Sequence, residues 1–82
     1  MGVFADYFEA AMRHVTWERL PEGEWLARIE PCPGVWATGK TQNEALQEVR
    51  EVLEEWVLLG LAEGDPLPEI DGHVLRVAAV PE

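Results

Sequence analysis

The stretch Gly39-Lys-Thr-Gln-Asn-Glu-Ala-Leu-Gln-Glu-Val-Arg-Glu-Val-Leu-Glu-Glu-Trp-Val57 decides the fold. Thr41 and Glu44 stand at capping-box spacing, in which the threonine hydroxyl accepts from the Glu44 amide while the glutamate reaches back over the helix start. Behind them Ala45, Leu46, Val49, Val52, Leu53, Trp56 and Val57 recur at helical intervals and form one broad apolar stripe. The pattern predicts a helix over residues 42–60, with Gly60 and Gly64 both placed to end it. Gly39 precedes the box and marks a bulge or a close backbone approach where strand passes into helix.

Upstream of Gly39 the period changes to two. The run His14–Leu20 alternates, with Val15, Trp17 and Arg19 on one face. Pro21–Glu24 is a turn signal, and Trp25–Glu30 alternates again, placing Trp25, Ala27 and Ile29 together. The two runs predict a hairpin. Pro31-Cys-Pro-Gly34 interrupts the chain, and Val35–Thr38 reads as a short third strand. Which of its sides faces inward, that of Trp36 or that of Val35 and Ala37, is open from the pattern.

At the N-terminus, residues 3–13 suit an amphipathic helix. Asp6, Glu9 and Arg13 fall on one side, and Val3, Phe4, Tyr7, Phe8, Ala11 and Met12 cover the other. Such a helix is too short to stand alone and must pack on something. Downstream, Gly64-Asp-Pro-Leu-Pro68 cannot remain helical and reads as an extended turn. His73–Val80 is predicted as a last strand with apolar residues on both faces, central in a sheet or covered at an interface. The fold class is therefore α+β: an N-terminal helix, then β-β-β-α-β, with a small antiparallel-rich sheet packed on one long helix. One domain is expected over 1–82, with 1–13 as a helical extension and 14–80 as the core.

A chain of 82 residues has room for one core and buries only about 60–65% of the surface its unfolded form exposes. Pairing stabilises domains of this size, so a homodimer is expected. The four tryptophans are a large apolar payload, roughly 150–250 Å² each when buried, and Trp17, Trp25 and Trp56 are predicted in the core. The single Cys32 rules out an intramolecular disulfide and suits a reducing compartment. No run approaches the roughly 18 apolar residues of a membrane span. Asp6 and Glu9 interrupt any signal-peptide pattern, so a cytoplasmic location is expected.

The charge balance is strongly acidic: 16 Asp and Glu stand against 6 Lys and Arg, for a net charge of -10. Phosphate backbones recruit Lys and Arg, so direct nucleic-acid binding is not expected. A basic protein partner fits this charge, and so does plain solubility.

Chemistry finds little support in the pattern. Two-metal hydrolysis needs several converging carboxylates, and the strand acids Glu18 and Glu30 read as solvent-facing members of alternating strands. His14, His73 and Cys32 lie far apart without zinc-ligand spacing. The Pro-Cys-Pro setting of Cys32 offers no helix N-terminus or cation to lower its pKa, so a turn or partly buried thiol is expected. Gly39-Lys-Thr41, with Gly34 upstream, has the flavour of a phosphate-binding loop, but the intervening Val35–Thr38 reads as strand and the match as chance. No catalytic residue, metal or cofactor is expected, and the chain does not read as an enzyme.

Partner binding has better candidates. Glu44, Glu48, Glu51 and Glu55 run along one side of the long helix, where two like-charge i,i+4 pairs each cost a few tenths, about 0.3 kcal/mol. A sequence that keeps this arrangement either presents a solvated face or holds a surface for a basic partner. Leu58 projects onto the polar side near Glu54, either beneath the turn at residues 64–68 or as part of an association surface. An exposed Trp36 is the natural interface anchor. The candidate partner-binding residues are thus Trp36, Glu48, Glu51, Glu55 and Leu58.

Three groups of residues carry a family resemblance: Pro33-Gly34 before the third strand, Gly39-x-Thr41-x-x-Glu44-Ala45-Leu46 opening the helix, and Gly64-x-Pro66-x-Pro68 after it. With their order and spacing, residues 14–80 resemble the HicB-like antitoxins. The resemblance implies a partial ribonuclease H fold and a module that binds and silences small, basic, messenger-RNA-cleaving toxins of the HicA type. Many members of that family carry a C-terminal DNA-binding segment, and none is read here, so operator binding is not expected. The family also holds solitary domains, which leaves a homodimeric structural or regulatory domain without a toxin as the alternative.

Overall fold

The structure, a computed structural model, describes residues 2–75. In chain order it contains α1 (Val3–Met12), β1 (Val15–Arg19), β2 (Trp25–Ile29), β3 (Trp36–Gly39) and α2 (Gln42–Glu63). Both strand pairs are antiparallel, in the order β1-β2-β3. The register sets Val15 opposite Ile29, Trp17 opposite Ala27, and Ala27 opposite Ala37. Because successive side chains alternate across a sheet, these residues share one face, and α2 packs against that face over β2 and β3.

The core forms between those layers. Ala27, Ile29, Val35 and Ala37 of the sheet region are buried with Ala45, Val49, Leu53 and Val57 of α2. Tyr7, Ala10 and Ala11 of α1 join the same cluster, so the N-terminal helix packs on its own domain. Its exposed side carries the Glu9–Arg13 pair at 3.8 Å.

The long helix starts where its capping box places it. Thr41 Oγ1 accepts from the Glu44 N–H at 3.1 Å. The Glu44 carboxylate reaches one residue beyond the cap, accepting from the Lys40 N–H at 3.1 Å. Of the two candidate terminators, Gly64 closes the helix in the left-handed region at φ 74°. Gly60 stays within the helix, and Leu67 folds back over it: a Cβ at Gly60 would lie 2.7 Å from Leu67 Cδ2. The helix therefore runs three residues past the predicted 42–60. Its length of about 33 Å is nearly twice that of a five-residue strand, about 17 Å, so it outreaches the strands, and its last turns meet the returning segment at Leu67. There Tyr7 Oη donates to the Pro68 carbonyl at 2.6 Å, tying α1 to the returning segment.

Ile70 and His73 then exchange two backbone hydrogen bonds, of 2.8 and 3.0 Å, around Asp71 at φ 50° and Gly72 at φ 83°. Two consecutive left-handed residues of the Asp-Gly type make the tight turn that suits the right-handed twist of a hairpin. The turn is tied to the α1–β1 junction by His14 Nε2, 2.9 Å from Asp71 Oδ1, and by the Arg13 guanidinium, 3.6 Å from Oδ2. The His14 hydrogen bond, with the neighbouring positive charge, holds the Asp71 carboxyl below its ordinary range. Of the predicted strand His73–Val80, His73 forms this bridge and Val74 and Leu75 are not in a strand. Residues 76–80 of that prediction lie outside the described residues.

Cys32 is fully buried in the turn between β2 and β3, deeper than the sequence setting predicted. Burial pushes its thiol up to about 11. Burial, with Cys32 close by, pushes the Tyr7 hydroxyl up to about 12. Both groups are acids that fold in their neutral forms, and their ordinary values are 9.0 and 10.0. The stability they contribute is fully present below the unfolded values and is lost as pH rises through the folded ones. Thermal melts are expected to stay level from neutral pH to about 9 and to fall steeply between there and about 12. A Cys32→Ala variant should show a shallower fall, and the native thiol should resist thiol-specific reagents at neutral pH.

Candidate protein-interaction surfaces

Two exposed surfaces stand out, on opposite sides of the molecule. The first is the outward flank of α2. Ala45, Val49, Leu53 and Val57 turn inward, which leaves Glu44, Glu48, Glu51 and Glu55 in solvent along the other side. Among the described residues none of these four carboxylates has a cationic partner; the ion pairs of the fold involve Glu9, Glu18 and Asp71 instead. Arg50 is on a different flank of α2, where it lines a groove of about 420 Å³ with Met12, Asn43, Leu46 and Gln47. The acidic flank therefore carries its charge uncompensated.

Leu58, at 62% exposure, and Leu59, at 59%, extend the helix surface near its C-terminal end. The turn at residues 64–68 does not cover Leu58. It folds instead onto Gly60 and lines a cleft with Trp56 and Leu59. Of the two readings of Leu58, the one beneath the turn is thus overturned, because the Leu67 side chain of the returning segment packs over Gly60 on another side of the helix and leaves Leu58 in solvent. Leu59 was not singled out from the sequence, where it reads as one more member of an apolar run.

The second surface is the sheet face turned away from α2. Val35 and Ala37 are inward, which settles the orientation of β3 and leaves Trp36 outward at 55% exposure. Beside it on β2 are Leu26, half-buried, and Arg28, exposed. Arg28 pairs with Glu18 of β1 at 3.7 Å, and Thr16 donates to Glu30 at 3.1 Å. Leu26 and Arg28 were passed over at the sequence level, although the alternation that set Trp25, Ala27 and Ile29 inward already placed them outward. Trp17, Trp25 and Trp56 are not in the core as predicted: Trp25 and Trp56 are partly buried against it, and Trp17, though on the inner face, remains 37% exposed. It sits on β1, past the strands that α2 covers, and meets Trp25 edge-on at 6.3 Å, while Arg19 lies 4.9 Å over the Trp25 ring.

The predicted binding residues thus divide between two surfaces. Glu48, Glu51, Glu55 and Leu58 lie on α2, and Trp36 is on the far side of the sheet. For chemistry the arrangement offers little: among the described residues no group of three or more His, Cys, Asp or Glu side chains could hold a metal ion. The span from Gly34 to Thr41 is occupied by β3 rather than by a loop, and the Glu44 carboxylate takes the Lys40 N–H. That region is a strand-to-helix joint, with no phosphate cradle. No helix among the described residues is long and apolar enough to cross a membrane.

These features define a small α+β domain in which a long, acidic helix crosses one face of a three-stranded antiparallel sheet. The chain belongs to the UPF0150-like family, whose model matches residues 6–68. It is similar to TTHA0281 from Thermus thermophilus, known from a crystal structure, at 31% identity over 96% of this chain and 99% of that one, with a TM-score of 0.90. No curated protein matches the sequence.

Proposed function

We propose that the chain is a HicB-type antitoxin module that captures a small, basic, RNA-cleaving toxin of the HicA type on the acidic flank of α2. The uncompensated row Glu44, Glu48, Glu51, Glu55 carries this reading. Four carboxylates on one flank of a rigid helix set up a field that attracts a cationic protein and speeds its docking. The exposed Leu58 and Leu59 supply apolar contact at the end of the row. Inhibition proceeds by occlusion: a toxin surface shaped to grip RNA phosphates meets carboxylates held in their place. The chain contributes no catalytic group and needs no cofactor. Membership in the UPF0150-like family and the sequence resemblance to HicB-like antitoxins support the same reading.

Growth rescue tests it. Cells expressing a HicA-type toxin from the same genome are expected to arrest, and co-expression of this chain should restore growth. Rescue should fail for a chain carrying Glu48→Lys and Glu55→Lys that accumulates to the same level. Arrest that persists with the wild-type chain would contradict the antitoxin role.

A further inference from the structure

The open face of the sheet is not explained by capture on α2, since it lies on the other side of the molecule. We propose that it is a twofold self-association surface whose occupant is the same face of a second copy. The charges indicate which partner it fits. A chain of net charge -10 repels its own kind almost everywhere, and most strongly along α2. The open face is different: it presents Arg28 between two carboxylates, Glu18 of its ion pair and Glu30 at the end of β2. A surface that carries both signs meets the first requirement of an isologous contact, in which whatever one copy offers the other also offers and each cation must find an anion across the twofold axis. Arg28 of each copy finds the glutamates of the other, and both sets of pairs form at once.

The apolar part of the face suits the same occupant. Trp36 is more than half exposed and Leu26 is half-buried next to it. A tryptophan ringed by polar and charged groups is the usual form of an interface anchor. Two copies that meet here cover both tryptophans while the acidic helices point away from each other on the outer surfaces. The dimer so formed leaves both α2 flanks free, and its existence does not depend on what α2 binds.

Sedimentation equilibrium of the full chain tests the proposal with three variants whose folding is checked by circular dichroism. The wild type should dimerise reversibly, and Trp36→Ala should weaken the dimer about tenfold or more. Arg28→Glu makes the face wholly acidic, and Glu18→Arg with Glu30→Arg makes it wholly basic, so each alone should be monomeric. Mixed in equal amounts, the acidic-face and basic-face chains should form a heterodimer near the wild-type affinity. A monomeric wild type at sub-millimolar concentration, a dimer indifferent to these changes, or a mixture that fails to pair would each overturn the assignment.

Discussion

Gly39→Ala is expected to lower the melting temperature by roughly 12–24 °C, on the basis of about 3 kcal/mol lost in a domain of this size. Gly39 is where β3 turns into α2, and the approach there is between backbones. A methyl at this position would sit 2.5 Å from the Ala45 nitrogen and 2.9 Å from both the carbonyl carbon and the Cβ of Glu44. No side-chain rotation relieves such a contact. Either the strand end lifts from the sheet or the first turn of α2 moves off its cap, and with it the Thr41 and Glu44 hydrogen bonds. Gly60→Ala provides the contrast. Its methyl would meet only the far end of the Leu67 side chain, which can rotate, while an alanine in a helix interior is worth up to about 1 kcal/mol over glycine. The net change at position 60 should stay within about 1 kcal/mol of zero. Thermal melts of the two variants side by side compare a backbone joint with a side-chain contact.

The second large effect is on partner capture. A chain with Glu48→Lys and Glu55→Lys should bind its toxin about a hundredfold more weakly, within the range by which steering fields alter association. Folding should move the other way. Glu44–Glu48 and Glu51–Glu55 are repulsive in the native helix. The two changes convert them into Glu–Lys pairs in the favourable orientation, each better by about 0.5 kcal/mol. A variant that melts at or slightly above the wild-type temperature yet loses its partner separates recognition from stability. If binding survives unchanged, the acidic flank is only a solvated surface.

Most of the framework was legible before any coordinates. The capping box and the apolar stripe located α2, and the period-two alternation gave β1, β2 and the face each residue occupies. Both signals are local, and both follow directly from how side chains leave a helix or a strand. The end of α2 was legible only in part: both glycines can end a helix, and Asp65-Pro66 directly after Gly64 is the local signal that favours the second. Gly60 sits inside the helix with Leu67 packed over it, a tertiary contact that no local pattern shows. The orientation of Trp36 was hidden for a related reason: a four-residue strand with apolar groups on both sides shows no preference until α2 covers one of them. Trp17 shows the reverse case, a residue on the right face of a strand that the helix does not reach. The Asp71-Gly72 turn could have been read directly, since that dipeptide is among the strongest short hairpin signals. Its docking on Arg13 and His14, 57 or more residues away in the chain, could not. Of the candidate binding residues, the sequence placed Glu48, Glu51 and Glu55 on one flank correctly, but it had no means to show that Trp36 lies on a different surface.

Calorimetric titration of the full chain with a purified HicA-type toxin from the same genome, at low and at high salt, tests the proposed capture most directly. Tight binding that weakens as salt rises, and that is largely lost in the Glu48→Lys, Glu55→Lys chain, is the expected result. Binding of equal strength in both chains at both salt concentrations, or no binding at all, would contradict it.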